Sequence, residues 1–220
     1  MSCGYIFSGD AETTERAYAK LDISLDVTEK RDDGFHNMVM VMQTVSLCDD
    51  ITIRLNDSAR VRAKSDLHFI PGDERNLAVK AALRYLNEIG ETQCGADIEI
   101  KKRIPVGAGM GGGSADAAAV LRAMNRLFDG RLSGARLTEI SGDVGSDVPF
   151  CISGGTALAE GRGERLTPLP DFPDYSKSSI CCTRAIIRTR RALSRRCARA
   201  SWGRYAAECT TSLNTWTTGA

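Results

Sequence analysis

Five of the seven residues at positions 107–113 are glycine, and an alanine-rich amphipathic stretch follows immediately. With no side chain at Gly107, Gly109, Gly111, Gly112 or Gly113, backbone N–H groups can close on an anion. A helix starting behind them adds the partial positive charge of its N-terminus, so residues 104–119 read as a phosphate-binding loop feeding a helix. Pro105 opens the loop and Ser114 sits at the predicted helix start. The Walker pattern is excluded, because Gly113 stands where a lysine must precede Ser114. Gly107, Gly109 and Gly112 do satisfy G-x-G-x-x-G, which keeps a dinucleotide-dependent oxidoreductase open as an alternative. Against it, Ala96, Ile98 and Ile100 alternate with Asp97, Glu99 and Lys101 just before the loop, whereas a dinucleotide-fold strand is apolar on both faces.

The same alternation recurs elsewhere. Leu21, Ile23, Leu25 and Val27 alternate with Lys20, Asp22, Ser24 and Asp26, which predicts a strand with one wet face and a solvated Lys20. Asp32-Asp33-Gly34 reads as a turn, residues 38–47 as a second strand, and Ile51, Ile53 and Leu55 as a third. Residues 156–159 read as a short strand. Val79, Ala82, Leu83, Leu86 and Ile89 recur at helical spacing, with Gly90 at the C-cap position. Ala117, Val120, Leu121, Met124, Leu127 and Phe128 form the stripe of the helix behind the glycines, and Ser133 caps a third helix containing Leu137 and Ile140. The predicted class is α+β, with helices packed on one face of a strand-rich sheet.

Charge divides the chain. Its 220 residues carry a net charge of +1, yet residues 177–220 hold nine basic residues against Glu208 alone. No apolar run approaches the ~20 residues of a membrane helix, and residues 1–16 lack the apolar core of a signal peptide, so a cytoplasmic protein is expected. The eight cysteines include no C-x-x-C pair, and the only histidines, His36 and His68, are distant in sequence, so no metal-cysteine site is expected. Asp147, in a glycine-flanked turn before Val148-Pro149-Phe150, has the chemistry of a proton acceptor for a hydroxyl attacking a phosphoryl group, and also of an ordinary turn residue.

Four segments occur in order: Ala17-Tyr18-Ala19-Lys20-Leu21-Asp22, Lys30-Arg31-Asp32-Asp33-Gly34-Phe35-His36, the loop 105–119, and Gly145-Ser146-Asp147-Val148-Pro149-Phe150. Together they resemble the GHMP small-molecule kinases, most closely the branch that phosphorylates 4-diphosphocytidyl-2-C-methyl-D-erythritol in non-mevalonate isoprenoid biosynthesis. The resemblance covers about residues 17–170. It implies a GHMP-kinase N-terminal domain, a ribosomal-protein-like mixed sheet with helices on one face, and ATP and Mg²⁺ as cofactors. It implies Asp147 as the base for the acceptor's 2-hydroxyl and Lys20 as the cation beside it. Pro105, the five loop glycines, Ser114 and Asn76 would lie at the nucleotide, and Asp22, Phe35 and His36 at the acceptor. The implied partner is the cytidine diphosphate methylerythritol substrate, with neither nucleic acid nor membrane.

This chain departs from that family in three places. Asp22 replaces the usual Asn two residues after the lysine, and Ser114-Ala115 replaces a Ser-Ser pair. Residues 171–220 match nothing in the family's second half. Their Arg, Ala, Ser, Thr and Cys bias reads as an out-of-frame translation with the second domain largely missing. The expected organisation is an extension at 1–16, an ATP-binding domain at 17–170 and an atypical tail. Weak or absent turnover is the corresponding expectation, and a non-catalytic nucleotide-binding remnant is the second functional reading.

Overall fold

The computed structural model describes residues 11–30, 36–161, 163 and 165–170. Two long strands organise it. β1 (Glu12–Lys30) and β2 (His36–Asn56) pair antiparallel along their whole lengths. The other edge of β2 is shared between two partners. Residues 50–56 pair with β4 (Gly95–Lys101), and residues 38–43 pair with β5 (Thr156–Gly161). β3 (Val61–Ser65) lies parallel outside β4, and β6 (Arg165–Leu169) lies antiparallel outside β5. The six-stranded sheet is therefore mixed, in the order β3-β4-β2-β5-β6 with β1 on β2.

The segments expected as separate strands at 38–47 and 51–55 are one strand, because a register shift absorbs the irregularity between them. Tyr18 faces Cys48 while Lys20 faces Thr44, so two steps along β1 match four along β2. β1 also begins earlier than expected. Residues 12–16, read as part of an extension, pair with residues 50–54, and Glu15 bridges to Arg122 and Arg126.

The helices are α1 (Leu77–Glu88), α2 (Gly112–Leu127), α3 (Gly134–Ser141) and α4 (Val148–Ser153). Ala17, Ala19, Ile51, Ile53, Ile98 and Ile100 of the sheet pack against Ala78, Ala82 and Tyr85 of α1 and against Ala117, Val120, Leu121 and Met124 of α2, all buried. Small residues on both sides let helix and sheet approach closely, and the larger, fully buried side chains of Tyr85 and Phe128 pack with them in the same core, their ring centroids 5.8 Å apart. Ser133 caps α3 as expected, its hydroxyl accepting from the Arg136 N–H at 3.2 Å. β3, β6 and α4 were not expected; at five, five and six residues they are too short to establish a period.

One strand disagrees with its own pattern. Leu25 and Val27 are more than half exposed, whereas Lys20 is 5% exposed. The buried face runs through Ala17 and Ala19, and further register shifts follow at Asp22/Ser24 and Val27/Glu29. The Asp22/Ser24 shift sets two steps of β1 against one of β2 and so moves Leu25 and Val27 to the other face of the sheet, where an alternation continued past the bulge predicts the wrong side. Phe35, the Asp32-Asp33-Gly34 turn, the tail at 171–220 and the side chain of His36 lie outside the described residues. Among the described residues no helix is long and apolar enough to cross a membrane, which says nothing of a β-barrel.

Candidate active site

The glycine segment leaves β4, passes Pro105 and ends at the first residue of α2. Gly107, Gly109 and Gly111 all take positive φ (+75°, +74° and +65°), the left-handed conformation that costs other L-residues energy. Gly111 is constrained twice. A Cβ there would lie 2.8 Å from Cγ of Lys20, well inside van der Waals contact. Strand β1 carries Lys20 against the loop, and the Lys20 N–H donates to the Met110 carbonyl at 3.0 Å. Loop and lysine are thus fixed to each other through both backbone and side chain.

Lys20 projects into a cavity of about 630 Å³. Lys20, Asp22, Asn76, Pro105, Gly107, Gly109, Gly111, Gly112, Gly113, Ser114 and Asp147 all line it. The volume is within the range of a small-molecule site. The Lys20 ammonium donates to both carboxylate oxygens of Asp22 at 2.8 Å and lies 3.3 Å from Oδ2 of Asp147. Burial alone would lower the lysine's pKa. The hydrogen bonds it donates to Asp22 and the charges of Asp147 and Asp22 outweigh it, so Lys20 is held protonated above its ordinary value. Asp147 sits at the N-cap of α4 without making a side-chain cap, and Pro149 lies in the helix's first turn. A carboxylate at an N-cap normally accepts from helix N–H groups; this one faces the lysine instead.

Asn76 has a structural task at the cavity edge. Its side-chain oxygen caps α1 by accepting from the Ala78 N–H at 2.9 Å, and its amide donates to the Pro71 carbonyl at 2.9 Å. Phe69 and Val106, both more than half exposed, also line the cavity and give its mouth an apolar surface. His36 contributes the first backbone pair of β2, with Lys30.

A second charged group was not expected. Lys102 Nζ donates to Asp49 Oδ2 at 2.5 Å and to Asp116 Oδ2 at 2.8 Å, with all three side chains at least 94% buried. Asp49 also accepts the backbone N–H groups of Arg103 and Ile104. Burial is the largest influence on Asp116 and pushes its carboxyl up to about 7 against the pull of Lys102; its Oδ1 has no hydrogen-bond partner. Lys102 and Asp116 line the cavity with the glycines. One signal was available in the sequence. Asp116 precedes Val120 and Met124 at four-residue spacing, an acid on the apolar stripe of α2. Asp49, inside a strand otherwise apolar toward the core, gave no comparable sign.

Residues 76–155 match the description of the GHMP kinases N terminal domain. The chain is 48% identical over 159 residues to the 4-diphosphocytidyl-2-C-methyl-D-erythritol kinase of Clostridium beijerinckii, a match covering 72% of this chain and 56% of the relative. It is 50% identical to the kinase of the same name from Clostridium perfringens, over 71% of this chain and 54% of the relative. Among solved structures, a 4-(cytidine 5'-diphospho)-2C-methyl-D-erythritol kinase superposes with a TM-score of 0.61 at 36% identity, over 71% of this chain and 55% of the other. The chain spans about half the length of the curated relatives it matches. Its sheet, antiparallel except for β3 on β4, removes the premise of the dinucleotide alternative, which requires a parallel sheet around the loop.

Proposed function

Because the chain belongs to the GHMP kinases, we propose that it phosphorylates a hydroxyl group at the expense of ATP, and that its acceptor is 4-diphosphocytidyl-2-C-methyl-D-erythritol. One observation carries this reading. The glycine loop and the Lys20–Asp147 pair line one cavity, and Lys20 touches both, through Met110 on one side and Asp147 on the other.

In this reading the loop N–H groups and the start of α2 bind the ATP phosphates. The γ-phosphoryl group faces Asp147, with the apolar mouth at Phe69 and Val106 open to the nucleobase. The Asp147 carboxylate accepts the proton of the acceptor's 2-hydroxyl, whose oxygen forms the new bond to phosphorus as the bond to ADP breaks. Lys20, 3.3 Å from Oδ2 of Asp147, orients that carboxylate and offsets negative charge on the phosphoryl oxygens during transfer. Phe35 and His36 are assigned to the cytidine end by the family resemblance.

The site suits Mg²⁺ that arrives with the phosphates. Among the described residues no cluster of three or more acidic, histidine or cysteine side chains would hold a metal by itself. The carboxylates of Asp22 and Asp147 nevertheless both line the cavity, and magnesium is commonly held by one or two carboxylates plus substrate phosphates. Asp22 and Asp147 are the residues that would hold it, and the ion would supply charge neutralisation at the transferring group.

The test is a titration with ATP, with and without Mg²⁺, beside a product assay with the cytidyl acceptor and a Lys20→Met variant. Expected are Mg²⁺-dependent ATP binding, transfer to the acceptor, and a loss of about 10²–10³ in turnover for the variant. Binding without any transfer would favour the nucleotide-binding remnant. Absence of ATP binding by the folded chain would end the proposal.

A further inference from the structure

We propose that Lys102, Asp49 and Asp116 form a buried clamp that holds both ends of the phosphate loop on strand β2, making Lys102 a positioning residue for nucleotide binding. The inference rests on the nucleotide reading of the cavity but concerns residues outside the Lys20–Asp147 pair.

The connectivity carries it. Asp49 belongs to β2 and is completely buried. One of its oxygens accepts the N–H groups of Arg103 and Ile104, the residues through which the chain enters the loop. Its other oxygen accepts from the Lys102 ammonium, which also donates to Asp116 on α2, the helix through which the chain leaves. The entry at 103–104 is therefore joined to β2 by Asp49 directly, and the exit at 116 is joined to the same carboxylate through Lys102. The same ammonium lies 3.3 Å from the place a Cβ would occupy at Gly112, directly beneath the loop's exit.

The loop needs such a fixture. Five glycines give it high conformational entropy and no side chains with which to anchor itself. A buried ion group is an unfavourable way to fill core, since apolar residues of similar volume are often as stable or more so. Here it does what apolar residues would not, by satisfying the Arg103 and Ile104 N–H groups while tying α2 to β2. Lys102 is held protonated above its ordinary value, its burial being outweighed by Asp116 and Asp49.

The experiment uses the full chain, a Lys102→Met variant, and the triple variant Asp49→Asn, Lys102→Met, Asp116→Asn, which buries no unpaired charge. Two backbone hydrogen bonds report on the loop without ligand: Lys20 N–H to Met110 and Ala115 N–H to Gly111. In the triple variant these two amides should exchange with deuterium about tenfold faster or more, while Ile98 in the β4 ladder keeps its protection. ATP affinity should fall about tenfold or more with adenosine affinity unchanged, because adenosine does not use the loop. A folded variant with parental exchange at Lys20 and Ala115 overturns the clamp. So does unprotected exchange of these two amides in the parent chain beside a protected Ile98, a result that needs no variant to fold. Failure of the parent to bind ATP would count against the nucleotide reading alone, because amide exchange reads the clamp independently.

Discussion

Replacing Gly111 with alanine separates two costs that the structure keeps distinct at neighbouring glycines. Gly109 has φ +74° and nothing within 4 Å of the place a Cβ would occupy, so Gly109→Ala should cost only the left-handed conformation, about 1–2 kcal/mol. Gly111 has φ +65° and bears the same cost, but its new methyl meets Lys20 at Cγ (2.8 Å) and Cε (3.3 Å). The nearer contact is about 0.7 Å inside ordinary carbon–carbon distance. Lys20 cannot swing away cheaply, because its Cγ is close to the backbone of β1 and the residue is 95% buried between Asp22, Asp147 and the loop. Overpacking of this kind adds about 1–3 kcal/mol. Urea unfolding of the parent and both variants should therefore place Gly111→Ala lower than Gly109→Ala by about 1–3 kcal/mol. Gly111→Ala should also weaken ATP binding more than Gly109→Ala does, by displacing the lysine. Equal destabilisation of the two variants, within about 0.5 kcal/mol, would refute the close packing of loop and lysine.

Asp22→Asn removes one of the two carboxylates that would hold Mg²⁺ beside Lys20, so the Mg²⁺ concentration for half-maximal turnover should rise by about fivefold, corresponding to about 1 kcal/mol; steady-state rates titrated with Mg²⁺ for parent and variant check this, and an unchanged requirement counts against it. Asp116 has a folded-state pKa of about 7 against 3.8 for the free group, so between those values the folded chain keeps a proton that the unfolded chain has lost. Parent stability should accordingly fall as pH rises through that window, by up to about 1.4 kcal/mol per pH unit, and denaturant midpoints of Asp116→Asn, in which Lys102 and Asp49 remain, should lack this contribution. Asn76→Ala removes the cap of α1 and the tie to Pro71 and should cost about 1 kcal/mol, read from the same unfolding curves. Deleting residues 1–16 should leave a chain that unfolds at markedly lower urea, since it loses the pairing of residues 12–16 and the Glu15 bridges to α2.

Three of the four helices were legible because each carries its own punctuation: Gly90 after α1, the glycines before α2 and Ser133 at the start of α3. Strand identity was also legible, but strand facing was not. Leu21, Ile23, Leu25 and Val27 keep a strict alternation, yet the Asp22/Ser24 shift of β1 against β2 leaves Leu25 and Val27 exposed, and the glycine loop packs on Lys20 and buries it. A bulge depends on the partner strand, which a local pattern does not contain. The cavity-lining residues were found through motif order rather than periodicity, which on its own assigned Lys20 to solvent. The Lys102 cluster escaped both routes. Asp49 and Asp116 lie 53 and 14 residues from Lys102 along the chain, and only the pairing of β4 with β2 and the packing of α2 on the sheet bring the three together.

The charges around the cavity explain why the phosphate loop is built from backbone. Lys20 is engaged by Asp22 and Asp147, and Lys102 by Asp49 and Asp116, so neither lysine is an uncommitted cation for an anionic ligand. Beside Arg75, which also lines the cavity, attraction for phosphate then comes from oriented N–H groups and the N-terminus of α2, whose partial charges are fixed by covalent geometry and require no side-chain ordering on binding. That arrangement is exacting, because N–H groups act only where they point. The positive φ values at Gly107, Gly109 and Gly111 aim them, and the side chains of Lys20 and Lys102 press on the loop from either side. The two lysines therefore serve the loop by shape as well as by charge: one bears on Gly111 and links it to Asp147, the other lies under Gly112 and links it to β2.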